Sequence, residues 1–205
     1  MTSRTTTFVI AGLVLASGCM TAAMQEEAAR VRTLDPRPLI DLPESSDAMR
    51  LELDSTIADS FVVPEQNGVT AVPVEKWHTS LQNGFKNGIG RFYRGDATAP
   101  GWKLLLVDIQ LDYVPTAVAV QGTQTMGAVA VQARVRYVAR VVDTGENVVM
   151  RDQGEVFSTN HWTSSGGSST TAAEALGAMY ERIAKQLGAL PQRPETATVA
   201  GGMSL

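Results

Sequence analysis

The chain has one cysteine, two histidines and few aromatic residues, 6% of the total. With Cys19 alone, no intramolecular disulfide can form. His78 and His161 are far apart in sequence and share no H-x-x-x-H spacing. A zinc site needs three or four converging ligands, so no metal is expected. There is no Gly-Lys-Ser/Thr phosphate loop, and the residue types of a Gly-x-Ser-x-Gly elbow occur only out of order, as Ser164-Ser165-Gly166-Gly167-Ser168-Ser169. That stretch reads as a loop with a helix cap rather than an anion site. An excess of basic residues is also missing: 17 Lys and Arg stand against 21 Asp and Glu, for a net charge of −4. This excludes the basic stripe of a nucleic-acid binder and argues against electrostatic adhesion to anionic headgroups. A long hydrophobic run is lacking too, because Phe8 to Ala16 is too short to span a bilayer permanently. No convergent catalytic set is visible, so the expectation is a non-enzyme without a cofactor.

What is present begins with that short run. Arg4 precedes it, small residues follow, and Cys19 closes it, which is the pattern of a secretory signal cut after Gly18. A lone cysteine in an exported protein needs an explanation. Leu15-Ala16-Ser17-Gly18-Cys19 resembles the bacterial lipobox. The resemblance implies cleavage before Cys19, acyl chains on Cys19, and anchoring by more than one chain, since a single chain binds weakly. Met20 stands where an inner-membrane retention signal would have Asp. The implied destination is the outer membrane, with the domain facing the periplasm.

Residues 1–18 then form the signal peptide, and residues 19–47 the lipidated cysteine and its linker. Asp35-Pro36-Arg37-Pro38 and Leu42-Pro43 disfavour helix, and a semi-extended tether is the simple reading. Residues 48–189 are long enough for one domain with a real core. Residues 190–205 read as a flexible tail.

Within the domain, Met49 to Asp54 alternates as a half-buried strand, and Thr70-Ala71-Val72 suits a second short one. Pro73 is placed to open a helix that runs to about Tyr93, with Trp77, Leu81, Phe85, Ile89 and Phe92 as its apolar stripe. Gly84 and Gly88 flank that stripe and would let strands approach closely. Lys103 to Tyr113 alternates, with Leu105, Val107, Ile109, Leu111 and Tyr113 assigned to the core face. A second long strand puts Val129, Val131, Ala133, Val135, Tyr137, Ala139 and Val141 inward. Asp143 to Asn147 is a hairpin turn, Val148 to Thr159 a further strand. Thr171-Ala172-Ala173-Glu174 is read as a capping box for a last helix ending near Gly188. Clean alternation predicts an antiparallel sheet with one wet face. The fold class is therefore α+β, a two-layer sandwich of an antiparallel sheet with two helices packed on one face. Asp108, Asp112 and Glu155 could suggest a glycosidase pair, but Arg134 and Arg136 on the neighbouring strand make cross-strand ion pairs the better reading.

The lipobox, the linker and early strand, the helix start Val72-Pro73-Val74-Glu75-Lys76-Trp77-His78-Thr79-Ser80-Leu81, the turn Val141 to Glu146 and the Ala-rich helix Ala172 to Leu187 together resemble small envelope lipoproteins of Gram-negative bacteria. These are the YajG-like family and the lipopolysaccharide-assembly lipoprotein, with a fold similar to the TolB N-terminal domain. The resemblance implies an accessory or assembly factor that binds an envelope protein or complex. Alternatives are an activator of a cell-wall synthase, the auxiliary lipoprotein of a lipid-transport ABC system and, with least support, a lipid-anchored hydrolase. The partner-binding candidates are Val114, Thr116, Val118 and Val120, in an apolar connection that the core does not need.

Overall fold

Alternating apolar residues in three long segments dictate the central sheet of the computed structural model, which describes residues 30–65, 71–96, 100–116, 130–161 and 167–190. In chain order the elements are β1 (Met49–Leu53), β2 (Phe61–Val63), β3 (Val72–Val74), α1 (Trp77–Asn87), a 3-10 turn (Ile89–Phe92), β4 (Trp102–Thr116), β5 (Ala130–Val142), β6 (Val148–Phe157) and α2 (Ser168–Gly188). The main sheet has the order β1-β4-β5-β6, and β2 and β3 form a separate ribbon. The class is α+β, with the helices packed against one face of the sheet. The sheet itself is mixed rather than antiparallel, because β1 runs parallel to β4, pairing Met49 with Trp102 through Leu53 with Leu106. A parallel neighbour needs a long crossover, and β2, β3 and α1 supply it.

The core face of β5 is as expected from Val131 on: Val131, Ala133, Val135, Tyr137, Ala139 and Val141 are buried, while Val129 lies outside the described residues. On β4 the expectation holds only in part. The register shifts between Leu106 and Asp108. The extra residue at this bulge reverses the alternation, so the buried set is Leu104, Leu106, Ile109, Leu111 and Tyr113. Leu105 and Val107, assigned to the core from the strict alternation, are only half-buried on the other face.

Pro73 lies inside β3 instead of opening the helix, and α1 begins at Trp77. Its first turn is capped from a distance, since the Asp59 carboxylate accepts the His78 N–H at 2.8 Å and the Asp59 carbonyl accepts the Trp77 N–H at 2.8 Å. Trp77, Leu81, Phe85 and Ile89 are all buried, as their spacing requires. The helix stops at Asn87, and the chain tightens into the 3-10 turn after Gly88. The capping box is not used. α2 starts earlier, at Ser168, and Glu174 reaches back to Thr159 and Asn160 in the segment after β6.

Residues 30–47 depart most from the tether reading, because they are packed. Val31, Leu34, Pro36, Pro38, Ile40 and Leu42 are buried, with Asp35, Arg37, Leu39 and Asp41 exposed between them. The stretch is an extended strap laid along both helices. Its backbone is tied down at several points: Val31 bridges to Val74, the Leu34 N–H donates to Ser80 Oγ at 2.9 Å, the Leu34 carbonyl accepts from Asn83 Nδ2 at 2.9 Å, and the Leu39 N–H donates to Glu181 at 2.7 Å. The prolines that argue against helix also hold the strap extended, so that alternate residues reach the core.

Candidate functional site

The candidate surface is the face of the sheet left open by the helices, together with the outer edge of β4. Residues just beyond the bulge put Asp108, Gln110 and Asp112 on the open face, opposite Arg136 and Arg134 of β5. Asp112 accepts from Arg136 at 2.7 Å and from Arg134 at 3.1 Å, and Glu155 of β6 lies 3.8 Å from Arg134. Asp112 and Glu155 are thus set among arginines, as the cross-strand reading expects. Such partly solvated pairs contribute only tenths of a kcal/mol up to about 1 kcal/mol each. Asp108 is exposed and, among the described residues, has only a 3.4 Å contact from Gln110. Farther along, Arg140 stands directly opposite Arg151.

On the buried side the charged groups serve the fold. Asp152 is 5% exposed and accepts the Tyr137 hydroxyl at 2.6 Å, while Arg182 lies 3.5 Å from its other oxygen. Burial, then the hydrogen bond and charge of Asp152, push the Tyr137 phenol well above its ordinary value, and Arg182 offsets part of this. Asp143 accepts the N–H groups of Gly145 at 2.8 Å and Asn147 at 3.0 Å, which closes the β5–β6 hairpin. His78 Nε2 lies 2.7 Å from the Ile57 carbonyl. His161 is exposed. Among the described residues no three His, Cys, Asp or Glu side chains gather so as to hold a metal ion.

Of the sequence-derived partner-binding residues, Val114 and Thr116 lie in the last turns of β4, half-buried and paired with Gln132 and Ala130 of β5. Val118 and Val120 lie outside the described residues, as do Cys19, the signal segment and the tail from residue 191. The feature that sequence reasoning missed is a slot of about 330 Å³ between β2 and the outer edge of β4. Ile57, Phe61, Val63, Trp77, Ile109 and Leu111 supply its apolar lining. Phe61 meets Trp77 edge to face at 5.7 Å. A signal was present in the sequence: the brief Phe-Val-Val run at residues 61–63 is more apolar than a loop needs.

No family model matches the chain, and no curated protein matches it by sequence. Several solved structures are similar in outline, two among them over most of their own length. One is a minor lipoprotein from Acinetobacter baumannii, at 11% identity and a TM-score of 0.42, covering 70% of this chain and 94% of that one. The other is a protein from Xanthomonas campestris of family DUF330, at 11% identity and a TM-score of 0.45, covering 78% of this chain and 95% of that one. At this identity the likeness is one of outline only, and what the chain does has to be read from its own residues.

Proposed function

We propose that the protein is a non-enzymatic envelope lipoprotein, anchored in the outer membrane through Cys19, that works as an accessory or assembly factor by binding another envelope protein. The observation that carries this reading is Cys19 at the end of its apolar run, followed so soon by a packed domain. Because the strap is packed from Val31 onward, only the stretch from Met20 to about Arg30 separates the lipid site from the folded body. Roughly ten residues span about 36 Å at most when fully extended. A domain held that close works beside its own membrane. This speaks against an activator that must reach through the cell wall to a synthase. It suits equally the second reading, an auxiliary lipoprotein of a lipid-transport ABC system, since such a complex also lies at a bilayer surface.

The non-enzymatic part of the reading draws support from how the polar side chains are used. Asp152 is taken up by Tyr137 and Arg182, Asp143 by its own turn, and Asp112 by two arginines. Cross-linking in intact cells, followed by purification of the lipidated protein, tests the proposal. An outer-membrane assembly complex recovered with it is the expected result, and subunits of an ABC system would favour the second reading. Recovery of a cell-wall synthase, or a hydrolase activity that survives purification to homogeneity, would overturn the first.

A further inference from the structure

β1 covers the outer edge of β4 only from Trp102 to Leu106. There the strand bulges, the Asp54 N–H closes on the Leu106 carbonyl at 2.9 Å, and the chain turns away toward β2. Among the described residues, no strand pairs with the outer edge of β4 from Asp108 to Thr116. The slot runs beside this same edge, from Asp108 to Asp112. We propose that the slot takes up an extended segment of a partner protein as an added strand on β4, with apolar side chains toward Trp77 and Phe61 and a Lys or Arg toward Asp108. This rests on the reading of the protein as a protein-binding accessory and names the site and chemistry of that binding.

Three independent features point to such an occupant. An unpaired strand edge offers a row of N–H and C=O groups that only another extended backbone matches in spacing. Trp77 lines the slot and is fully buried, yet its indole N–H has no acceptor among the described residues. Buried donors are nearly always satisfied, and a carbonyl brought in by the added strand is an acceptor of the kind this one lacks. The third feature is charge. Asp112 is neutralised by Arg134 and Arg136, whereas Asp108 has no cation in ion-pair reach among the described residues.

The alternation of β4 then sets the sequence of the guest. Ile109 and Leu111 face the core side, while Asp108, Gln110 and Asp112 face the open side. A strand laid beside them meets apolar surface at every second residue and acidic or polar surface at the others. A second copy of the chain fits poorly. Antiparallel pairing of two β4 edges about Gln110 would set Asp108 of one copy against Asp112 of the other, whose arginines are already engaged, so Asp108 gains no free cation there. Val62, exposed at 59% on β2, gives the rim of the slot an apolar contact for the guest.

The probe is a short acetylated and amidated peptide of alternating valine and lysine, titrated into the isotope-labelled full chain and followed by NMR. The expected result is a saturable shift of the Trp77 indole N–H together with the backbone amides of Asp108 to Asp112. Binding should be lost when the peptide is N-methylated at every residue. It should be roughly fivefold weaker when glutamate replaces lysine, or in Asp108→Lys, from the size of one cross-strand charge pair. Asp108 is exposed, so the dispersed spectrum of Asp108→Lys shows that the variant is folded. Asp108→Asn gives an intermediate affinity. No shift up to the solubility limit of the peptide, a Trp77 shift without movement of the β4 amides, or equal binding of the N-methylated peptide would each overturn the proposal. If the peptide fails while cross-linked partners are still recovered from cells, strand addition is wrong and the accessory reading stands. If the peptide binds as described but no partner is ever cross-linked, the accessory reading is the one that fails.

Discussion

Tyr180 of α2 lies against Gly84 of α1 so closely that a Cβ on Gly84 would sit 2.5 Å from its Cε2 and 2.9 Å from its Cδ2. The ring cannot simply swing away, because its hydroxyl donates to the Leu81 carbonyl at 2.7 Å inside the core. Glycine in this helix therefore serves the contact between the two helices. It was expected to admit strands, and the structure puts a tyrosine ring there instead. Gly88 has the same use toward the strap, where a Cβ would sit 2.6 Å from the Pro38 ring.

Gly84→Ala should lower stability even though alanine favours helix by about 1 kcal/mol. Overpacking a fixed ring costs about 1–3 kcal/mol, and this term should win. Urea denaturation of the purified domain measures it. A variant as stable as the wild type would mean that the helices separate more easily than their packing indicates.

Leu34→Ala tests whether the strap belongs to the fold. Leu34 is 4% exposed, and truncating a buried leucine costs about 2–5 kcal/mol. A solvated tether would show no change, so an unaltered denaturation midpoint would restore the tether reading. Leu39, on the same strap but 90% exposed, is the internal control and should tolerate alanine.

All four tyrosines should resist ionisation in the native state. Burial raises the phenols of Tyr113 and Tyr180. Burial and Asp152 raise Tyr137, and burial with the charge of Asp47 raises Tyr93. Their folded values lie above the ordinary 10.0, so the associated stability is complete below that pH and is lost as the pH climbs past it. A near-ultraviolet titration should show little phenolate at pH 10.0, then a single cooperative rise as the domain unfolds. Gradual ionisation beginning below that pH, with the fold intact, would contradict the burial of these rings.

Glu174 gives the opposite dependence at acid pH. Partial burial pushes its carboxyl up, but hydrogen bonds from Asn160 and Thr159 outweigh this and hold it below 4.5. Its contribution is present above that value and fades as the pH falls through the lowered one. The stability of Glu174→Gln should therefore depend less on acid pH than that of the wild type. Parallel stability curves for the two proteins would rule out this role for Glu174.

Cys19→Ser should abolish incorporation of labelled palmitate and release the protein from the outer-membrane fraction. Equal labelling of the variant would end the lipoprotein reading altogether.

Much of the architecture was legible because period and type agree. The inward face of β5, the Trp77 to Ile89 stripe, the Asp143 turn and the end of α2 near Gly188 each follow from residues within one element. The candidate surface was legible only in its charge pairing, Asp112 with Arg134 and Arg136, since opposite residues on alternating strands are enough to foresee that. Other features were not legible. The strap hid because proline is read as a linker residue, although Leu34, Pro36, Pro38, Ile40 and Leu42 alternate as strictly as a strand. Leu105 and Val107 were misplaced because nothing in the chain marks the bulge at Val107. The Thr171–Glu174 box failed because Thr159 and Asn160, remote in sequence, compete for the same carboxylate.

The sequence by itself determined the class of fold, the inward faces away from the bulge, and the lipobox-like motif at Cys19. These depend on local periodicity, propensity and a linear motif, which a chain carries whatever its neighbours do. Only the tertiary structure decided that β1 runs parallel to β4, that residues 30–47 belong to the body, and that no strand among the described residues covers the edge of β4 beside the Trp77 slot. Each depends on which distant segments meet, and that is settled by the competition of all apolar surfaces for one core.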